Sequence, residues 1–240
     1  MLAVLLDALG TLVGLEPPAP RLVDALTARG VVVTTGQAQA AMRSEMAHYR
    51  AEHHRGGTPD GLAVLRRECA VVLGEALGPP ATALGPAALQ DALLASLRFF
   101  AYPEVPAVLR ELRAAGLTLV VCSNWDLSLL DVLVRTGLAA LLDGAVVSAV
   151  EGVAKPDARL FARALQVAGD IHPRHAVHVG DSPGADARGA LDAGLRAVLV
   201  RRTGDEVRSA GEDAAVPVGV AVMPDLSGLA RHVLYPRPGR

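Results

Sequence analysis

The stretch Ala176-Val-His-Val-Gly-Asp-Ser-Pro-Gly-Ala-Asp-Ala-Arg-Gly-Ala-Leu-Asp-Ala-Gly-Leu-Arg-Ala-Val-Leu-Val200 reads as one complete strand–helix–strand unit. Ala176–Val179 is a short run that stops abruptly at Gly180-Asp181-Ser182. A helical pattern over Asp186–Ala193 ends at Gly194, where a left-handed C-cap is wanted. Arg196–Val200 is the next apolar run. Runs of this length, bounded by glycine and polar residues, fit strands buried on both faces of a parallel sheet.

The same grammar repeats along the chain. Leu2–Leu6, Leu117–Cys122 and Ala145–Val147 are further strand candidates, with a late one at Val216–Val222. Helical patterns over Pro106–Ala115, Ser128–Thr136 and Pro156–Ala168 each stop at a glycine: Gly116, Gly137 and Gly169. Strand and helix alternating in this way predict an α/β fold, a Rossmann-like doubly wound parallel sheet. Pro17–Leu97 differs. Apart from Val31–Val33 it carries no strand signal and reads as four helices punctuated at Gly30, Gly56-Gly57-Thr58-Pro59 and Gly78-Pro79-Pro80. The expected organisation is a core of residues 1–15 and 100–234, an α-helical insertion of residues 16–99, and a tail at 235–240. The exits of the insertion are expected at Glu16–Pro20 and Phe99–Pro103, where proline stiffens the chain.

Composition narrows the class. The 240 residues are 51% hydrophobic with a mean hydropathy of +0.34, enough to bury a large core and to exclude whole-chain disorder. Among the long uncharged stretches, Ala76–Gln90 is broken by three prolines and Ala114–Trp125 is too short to cross a bilayer. The first residues have no basic segment and meet Asp7 almost at once, unlike a signal peptide. A net charge of −2 with 3% aromatic residues and no basic block argues against nucleic acid as a partner. Cys69 and Cys122 have neither metal-knuckle nor redox-pair spacing, and read as free core thiols. These features predict a soluble cytoplasmic protein, either a monomer or a homodimer. One oddity stands out: Lys155 is the single lysine among 23 basic residues, and Asn124 is the single asparagine. Lysine offers a compact ammonium where arginine imposes a wide planar fork.

In an open parallel sheet, ligands bind beyond the carboxyl ends of the strands. Leu2–Leu6 delivers Asp7-Ala-Leu-Gly-Thr11 to that edge, Leu117–Cys122 delivers Ser123 and Asn124, and Ala176–Val179 delivers Gly180-Asp181-Ser182 with Asp186 five residues after Asp181. Lys155 opens the helix that follows a further strand. Taken singly, such residues are common helix caps, turn residues or surface charges. Together they bring acids, a hydroxyl and one cation to a single edge.

Jointly, Asp7-Ala-Leu-Gly-Thr11-Leu, Val121-Cys-Ser123-Asn, Lys155-Pro156-Asp and Val179-Gly-Asp181-Ser-Pro-Gly-Ala-Asp186 resemble the four motifs of the haloacid dehalogenase superfamily. The helical insertion lies where that family carries its cap. The wording Cys-Ser-Asn-Trp-Asp and His-Val-Gly-Asp-Ser is similar to a phosphatase-like branch. The resemblance implies Asp7 as nucleophile, forming an aspartyl-phosphate on a small phosphorylated substrate. It implies Mg²⁺ held by Asp7, Asp181 and the Leu9 backbone carbonyl, with Asp186 orienting Asp181 or a metal water. Thr11, Ser123, Asn124 and nearby amides would hold phosphoryl oxygens, and Lys155 would pair with Asp7 and phosphate.

One position departs from that pattern. The family's phosphatases place a second acid two residues after the nucleophile, as general acid and base; this chain has Leu9. Its loss removes a contribution of about 10²–10⁴-fold. His48, His53 and His54 could offer a substitute, although a helix end rich in His, Arg and Glu reads first as a solvated face. Two other readings follow. Metal-independent 2-haloacid dehalogenases also lack that acid and use an arginine for the substrate, for which Arg43 and Arg50 are available in the insertion. A non-catalytic phospho-ligand binding module is the third. Retention of Asp181 and Asp186 favours the metal-dependent phosphatase over the dehalogenase, and retention of Asp7, Lys155 and both late acids argues against the binding module.

Overall fold

The computed structural model describes residues 3–202 and 215–235. The chain begins with β1 (Ala3–Leu6) and β2 (Val13–Leu15), then runs through α1 (Pro18–Thr27), α2 (Thr35–Glu52), α3 (Pro59–Leu77), α4 (Pro79–Thr82) and α5 (Gly85–Ser96), and returns as β3 (Phe99–Ala101). It continues as α6 (Val105–Ala114), β4 (Thr118–Ser123), α7 (Leu129–Arg135), β5 (Gly144–Val147), α8 (Ser148–Glu151) and α9 (Ala158–Val167). The last elements are β6 (Ala176–Gly180), α10 (Gly189–Asp192), β7 (Arg196–Val200), β8 (Ala221–Met223) and α11 (Leu229–Leu234). Two compact units result: Met1–Gly14 with Phe100–Arg240, and Leu15–Phe99. No helix among the described residues is long and apolar enough to cross a membrane.

The first unit is an α/β Rossmann-like sheet of order β5-β4-β1-β6-β7-β8, parallel throughout. The chain builds outward from β1 to β5, then crosses to the other side of β1, so the switch point lies where β1 meets β6. Leu6 is in register with Val121 of β4 and Val179 of β6, which brings the residues that follow these three strands to one edge. Ala3 and Leu5 of β1 share a core with Val120 and Cys122 of β4 and with Leu160, Phe161 and Ala164 of α9. Val4 and Leu6, on the opposite face, are also fully buried, which is why β1 is apolar at every position. Each such Leu or Phe contributes about 1.5–3 kcal/mol on burial, and that packing holds the edge in place.

The second unit is all helical. Its cores come from Leu22 and Leu26 of α1, Ala38, Ala41 and Met42 of α2, Leu65, Cys69 and Leu73 of α3, and Leu89 and Leu93 of α5. Thr34 starts α2 with a capping box, its hydroxyl accepting from the Gln37 amide while Gln37 Oε1 accepts from Thr34 N. Thr58 and Pro59 start α3 in the same economical way, a hydroxyl cap followed by a residue with no N–H to satisfy.

Several sequence expectations need correction. Val31–Val33 forms no strand: Val31 is buried and Val32 is 85% exposed, without a ladder partner. At the exits of the helical unit the sequence does not show that β2, which ends at Leu15, and β3, which begins at Phe99, pair as a two-stranded ribbon. Val216–Val222 contracts to Ala221–Met223, since Pro217 has no N–H to donate and residues 218–219 turn. The helix expected from Asp186 begins earlier, as a π-helical turn over Pro183–Arg188 that runs into α10. The four helix-ending glycines adopt the left-handed conformation, Gly169 at φ +100°. Leu2 and most of the expected tail, 236–240, lie outside the described residues.

Candidate active site

Asp7, Leu9, Thr11, Ser123, Asn124, Lys155, Asp181 and Asp186 lie in the α/β unit, whereas Arg43, His48, Arg50, His53 and His54 belong to the helical unit. Asp7 leaves β1 with its amide bonded to the Val179 carbonyl at 2.8 Å, so the start of the turn is tied to β6. The turn then closes on itself: the Ala8 carbonyl accepts from the amides of Leu12 and Val13, and Gly10 N donates to Val13 O. Gly10 sits at φ +76°, and a Cβ there would collide with the Asp181 carboxylate. Only glycine satisfies both demands. Thr11 is fully buried, and its Oγ1 has no hydrogen-bond partner among the described residues.

Lys155 occupies the middle of the site. Its Nζ donates to Asp7 Oδ1 at 2.6 Å and to Asp186 Oδ1 at 2.5 Å, and its side chain is 2% exposed. Ser123 Oγ also donates to Asp7 Oδ1, at 2.9 Å. Asp186 collects more donors still: His178 Nε2 reaches Oδ1 at 2.8 Å and Ser182 N reaches Oδ2 at 2.9 Å. With Asp186 ionised, the proton of this bond sits on His178 Nε2. The His178 ring stands edge-on to Phe161, with centroids 5.1 Å apart.

Asn124 is joined to the loop that carries Lys155. Its Oδ1 accepts from Lys155 N at 2.8 Å and its Nδ2 donates to Lys155 O at 2.9 Å. The sole asparagine thus grips the backbone of the sole lysine. Next to it, Trp125 N donates to Ser148 Oγ at 3.1 Å, and Ser148 Oγ donates back to Trp125 O at 3.2 Å, tying the end of β4 to the start of α8.

The electrostatics follow from one ammonium serving two buried acids. Burial would raise the Asp186 carboxyl, but Lys155 and the His178 donor outweigh it and hold Asp186 well below the usual carboxylate range. Burial pushes the Asp7 carboxyl up, with Lys155 pulling the other way and the Asp186 charge adding to the rise. The two acids together hold Lys155 above its ordinary value against its own desolvation. Burial also pushes the Cys122 thiol up to about 12, which keeps it inert beside this cluster. Asp181 completes the group: carboxylate oxygens of Asp7, Asp181 and Asp186 lie within 4.8 Å of one another. Three acids against one cation leave an excess of negative charge, and an all-oxygen donor set of this kind suits a hard divalent cation.

The sequence profile of the haloacid dehalogenase-like hydrolases matches residues 1–194. The chain belongs to this family. Among its relatives, this hydrolase is 44% identical over 107 residues to a phosphoserine phosphatase of Thermus thermophilus, covering 44% of the chain and 42% of that protein. The chain therefore spans about two fifths of that relative's length. It is 32% identical over 232 residues to the haloacid dehalogenase-like hydrolase domain-containing protein 3 of Mus musculus, covering 93% of the chain and 90% of the mouse protein. The L-2-haloacid dehalogenase structure from Xanthobacter autotrophicus superposes with a TM-score of 0.67 at 23% identity, covering 99% of the chain and 100% of that structure. At that identity the likeness speaks for the fold alone.

The roles of three residues of the hydrolase's site are not evident from the motifs. His178 reads in the sequence as one more member of a strand, although a polar residue in a run buried on both faces must find a partner. Gly180 lies so close to Asp186 that a Cβ would collide with its carboxyl carbon. Arg202 follows β7 and donates to the carbonyls of Gly10 at 3.1 Å and Thr11 at 2.8 Å, and to Glu104 Oε1 at 2.6 Å. Its guanidinium also stacks over Tyr102, 3.5 Å from the ring centroid.

Proposed function

We propose that this hydrolase is a Mg²⁺-dependent phosphatase acting on a small phosphorylated metabolite, with Asp7 as nucleophile. The observation that carries the reading is the buried Asp7 carboxylate, which shares Lys155 with Asp186 and faces a third acid, Asp181. Ser123 and Lys155 both bond Asp7 Oδ1, which leaves the Oδ2 lone pairs to attack phosphorus. The P–O ester bond breaks as the Asp7–phosphorus bond forms, and the electron pair leaves with the alcohol oxygen. Water then releases inorganic phosphate and restores the carboxylate. Mg²⁺ held by Asp7, Asp181 and the Leu9 carbonyl would offset the charge on the phosphoryl oxygens. The activity named for the Thermus relative supports the phosphoryl over the carbon centre.

Leu9 shapes the substrate range. It can move no proton, so the leaving oxygen must take one from solvent or from the substrate itself. Alkyl phosphates are then slow by about 10²–10⁴-fold relative to a site with an acid, and aryl or acyl phosphates suffer less. The helical unit takes the place in the chain of the family's cap, an element whose work is to exclude water and supply specificity contacts. Two buried free thiols suit work in the reducing cytoplasm.

The test is nitrophenyl phosphate hydrolysis with Mg²⁺ and with EDTA, with Asp7→Asn as the blank. Turnover that needs Mg²⁺ and is absent in Asp7→Asn supports the reading. No turnover above the blank overturns it. Release of chloride from 2-chloropropionate without metal would then assign the dehalogenase reaction, which Leu9 also permits. Phospholigand binding without either turnover would assign the binding module.

A further inference from the structure

We propose that Asn124 is a positioning residue: its side-chain amide clamps the Lys155 backbone and so sets the ammonium between Asp7 and Asp186. The two residues lie 31 positions apart, yet each polar end of the Asn124 amide meets one polar end of Lys155's own backbone, at 2.8 and 2.9 Å. A planar group with one acceptor end and one donor end is what a backbone N–H and C=O pair needs, and only asparagine and glutamine offer it. Glutamine would carry the amide one methylene too far. Aspartate would turn a second acceptor toward the Lys155 carbonyl.

The clamp matters because Lys155 sits in a loop between α8 and α9, with no strand ladder to hold its backbone. The residue is buried, so its N–H and C=O must be satisfied within the protein. Lysine has a flexible stem, and the place of its ammonium is defined only if the stem's root is fixed. Root and tip are therefore held separately, the root by Asn124 and the tip by the two carboxylates. Nζ carries three protons and gives two to Asp7 and Asp186, leaving the third to face an incoming phosphoryl oxygen. A side chain engaged at both ends with Lys155 serves the reaction through that lysine.

The kinetic part of the test rests on the phosphatase reading, and the spectroscopic part does not. Because the chain has one lysine, ¹⁵N-lysine labelling of the full chain gives one side-chain ammonium resonance, seen only while its protons exchange slowly. The wild type is expected to show it. Asn124→Ala should broaden or abolish it, and the isosteric Asn124→Asp should weaken it, with far-UV circular dichroism unchanged. Should Asn124→Ala not fold, Asn124→Asp reads the same quantity. Under Mg²⁺, kcat for nitrophenyl phosphate should fall about 10–100-fold in Asn124→Ala with KM changed less than about threefold. Adding Asn124→Ala to Lys155→Met should cost nothing more. A wild-type ammonium signal in both Asn124 variants overturns the proposal, as does a raised KM with unchanged kcat, or losses that multiply in the double variant.

Discussion

Lys155 Nζ lies 2.6 Å from Asp7 Oδ1 across 148 residues of sequence, and both side chains are at least nine-tenths buried. A second carboxylate, Asp186, holds the same ammonium at 2.5 Å. Removing the cation by Lys155→Met strands two buried acids, a change that costs about 3–5 kcal/mol when one partner of a buried pair is lost. Urea unfolding should show the loss. Lys155→Arg keeps the charge but must fit a planar fork where a compact ammonium now sits, so hydrolysis should drop about 10²–10³-fold despite the retained cation. An arginine variant with wild-type turnover would mean that charge alone is required at this point.

Gly180 ends β6 directly beneath Asp186. An alanine there places its Cβ against the Asp186 carboxyl carbon, and that carboxylate is pinned by Lys155, His178 and Ser182, so it cannot step aside cheaply. Gly180→Ala should destabilise the protein by about 1–3 kcal/mol, the usual cost of overpacking. Activity should fall as well, because the strain is relieved by displacing the group that steadies Lys155. Thermal melting and nitrophenyl phosphate turnover measured side by side would check this. A folded, fully active alanine variant would show that Asp186 has room to move.

The places where strands end are legible in the sequence, because apolar runs that stop at Asp7, Ser123 and Asp181 can do little else in a parallel sheet. Lys155 stands out only because the rest of the chain uses arginine. That same arginine background hides Arg202, one of many, whose partners are carbonyls of a turn far away in sequence. His178 is hidden for a different reason: strand periodicity marks the position as interior but does not name the acid that meets it. The start of the helix at Asp186 is misread because Ser182-Pro-Gly looks like a loop, while the Ser182 hydroxyl in fact caps the Ala185 amide and opens a π-helical turn. Local spacing reports which face a residue takes. Pairings between distant segments need the fold.

Arg202 ties the end of β7 to the turn that follows Asp7. Four contacts converge on its guanidinium: the carbonyls of Gly10 and Thr11, the Glu104 carboxylate and the Tyr102 ring. Arg202→Ala should cost about 3–5 kcal/mol, since it leaves Glu104 without its cation and two turn carbonyls without their donor. Arg202→Lys should recover little of this, because an ammonium can neither fork between carbonyls nor stack on the ring in the same way. Chemical unfolding of both variants decides the point. A lysine variant as stable as the wild type would reduce the residue's role to its charge.

Glu45 predicts an unusual pH dependence in the helical unit. The spacing of Ala38, Ala41, Met42 and Glu45 along α2 turns this acid inward with the apolar residues, and it is 4% exposed. Burial pushes its carboxyl from an ordinary 4.5 up to about 7, against a pull from a hydrogen bond with Cys69. The folded state therefore binds the proton more tightly than the unfolded chain, so stability falls as pH rises from about 4.5 to about 7 and stays low above it. The shift amounts to something on the order of 3 kcal/mol. Glu45→Gln keeps the shape and removes the titration. Urea midpoints at pH 5 and pH 8 should differ more in the wild type than in Glu45→Gln, with the variant the more stable at pH 8. Parallel behaviour of the two proteins would mean that Glu45 finds compensation for its charge within the helical unit.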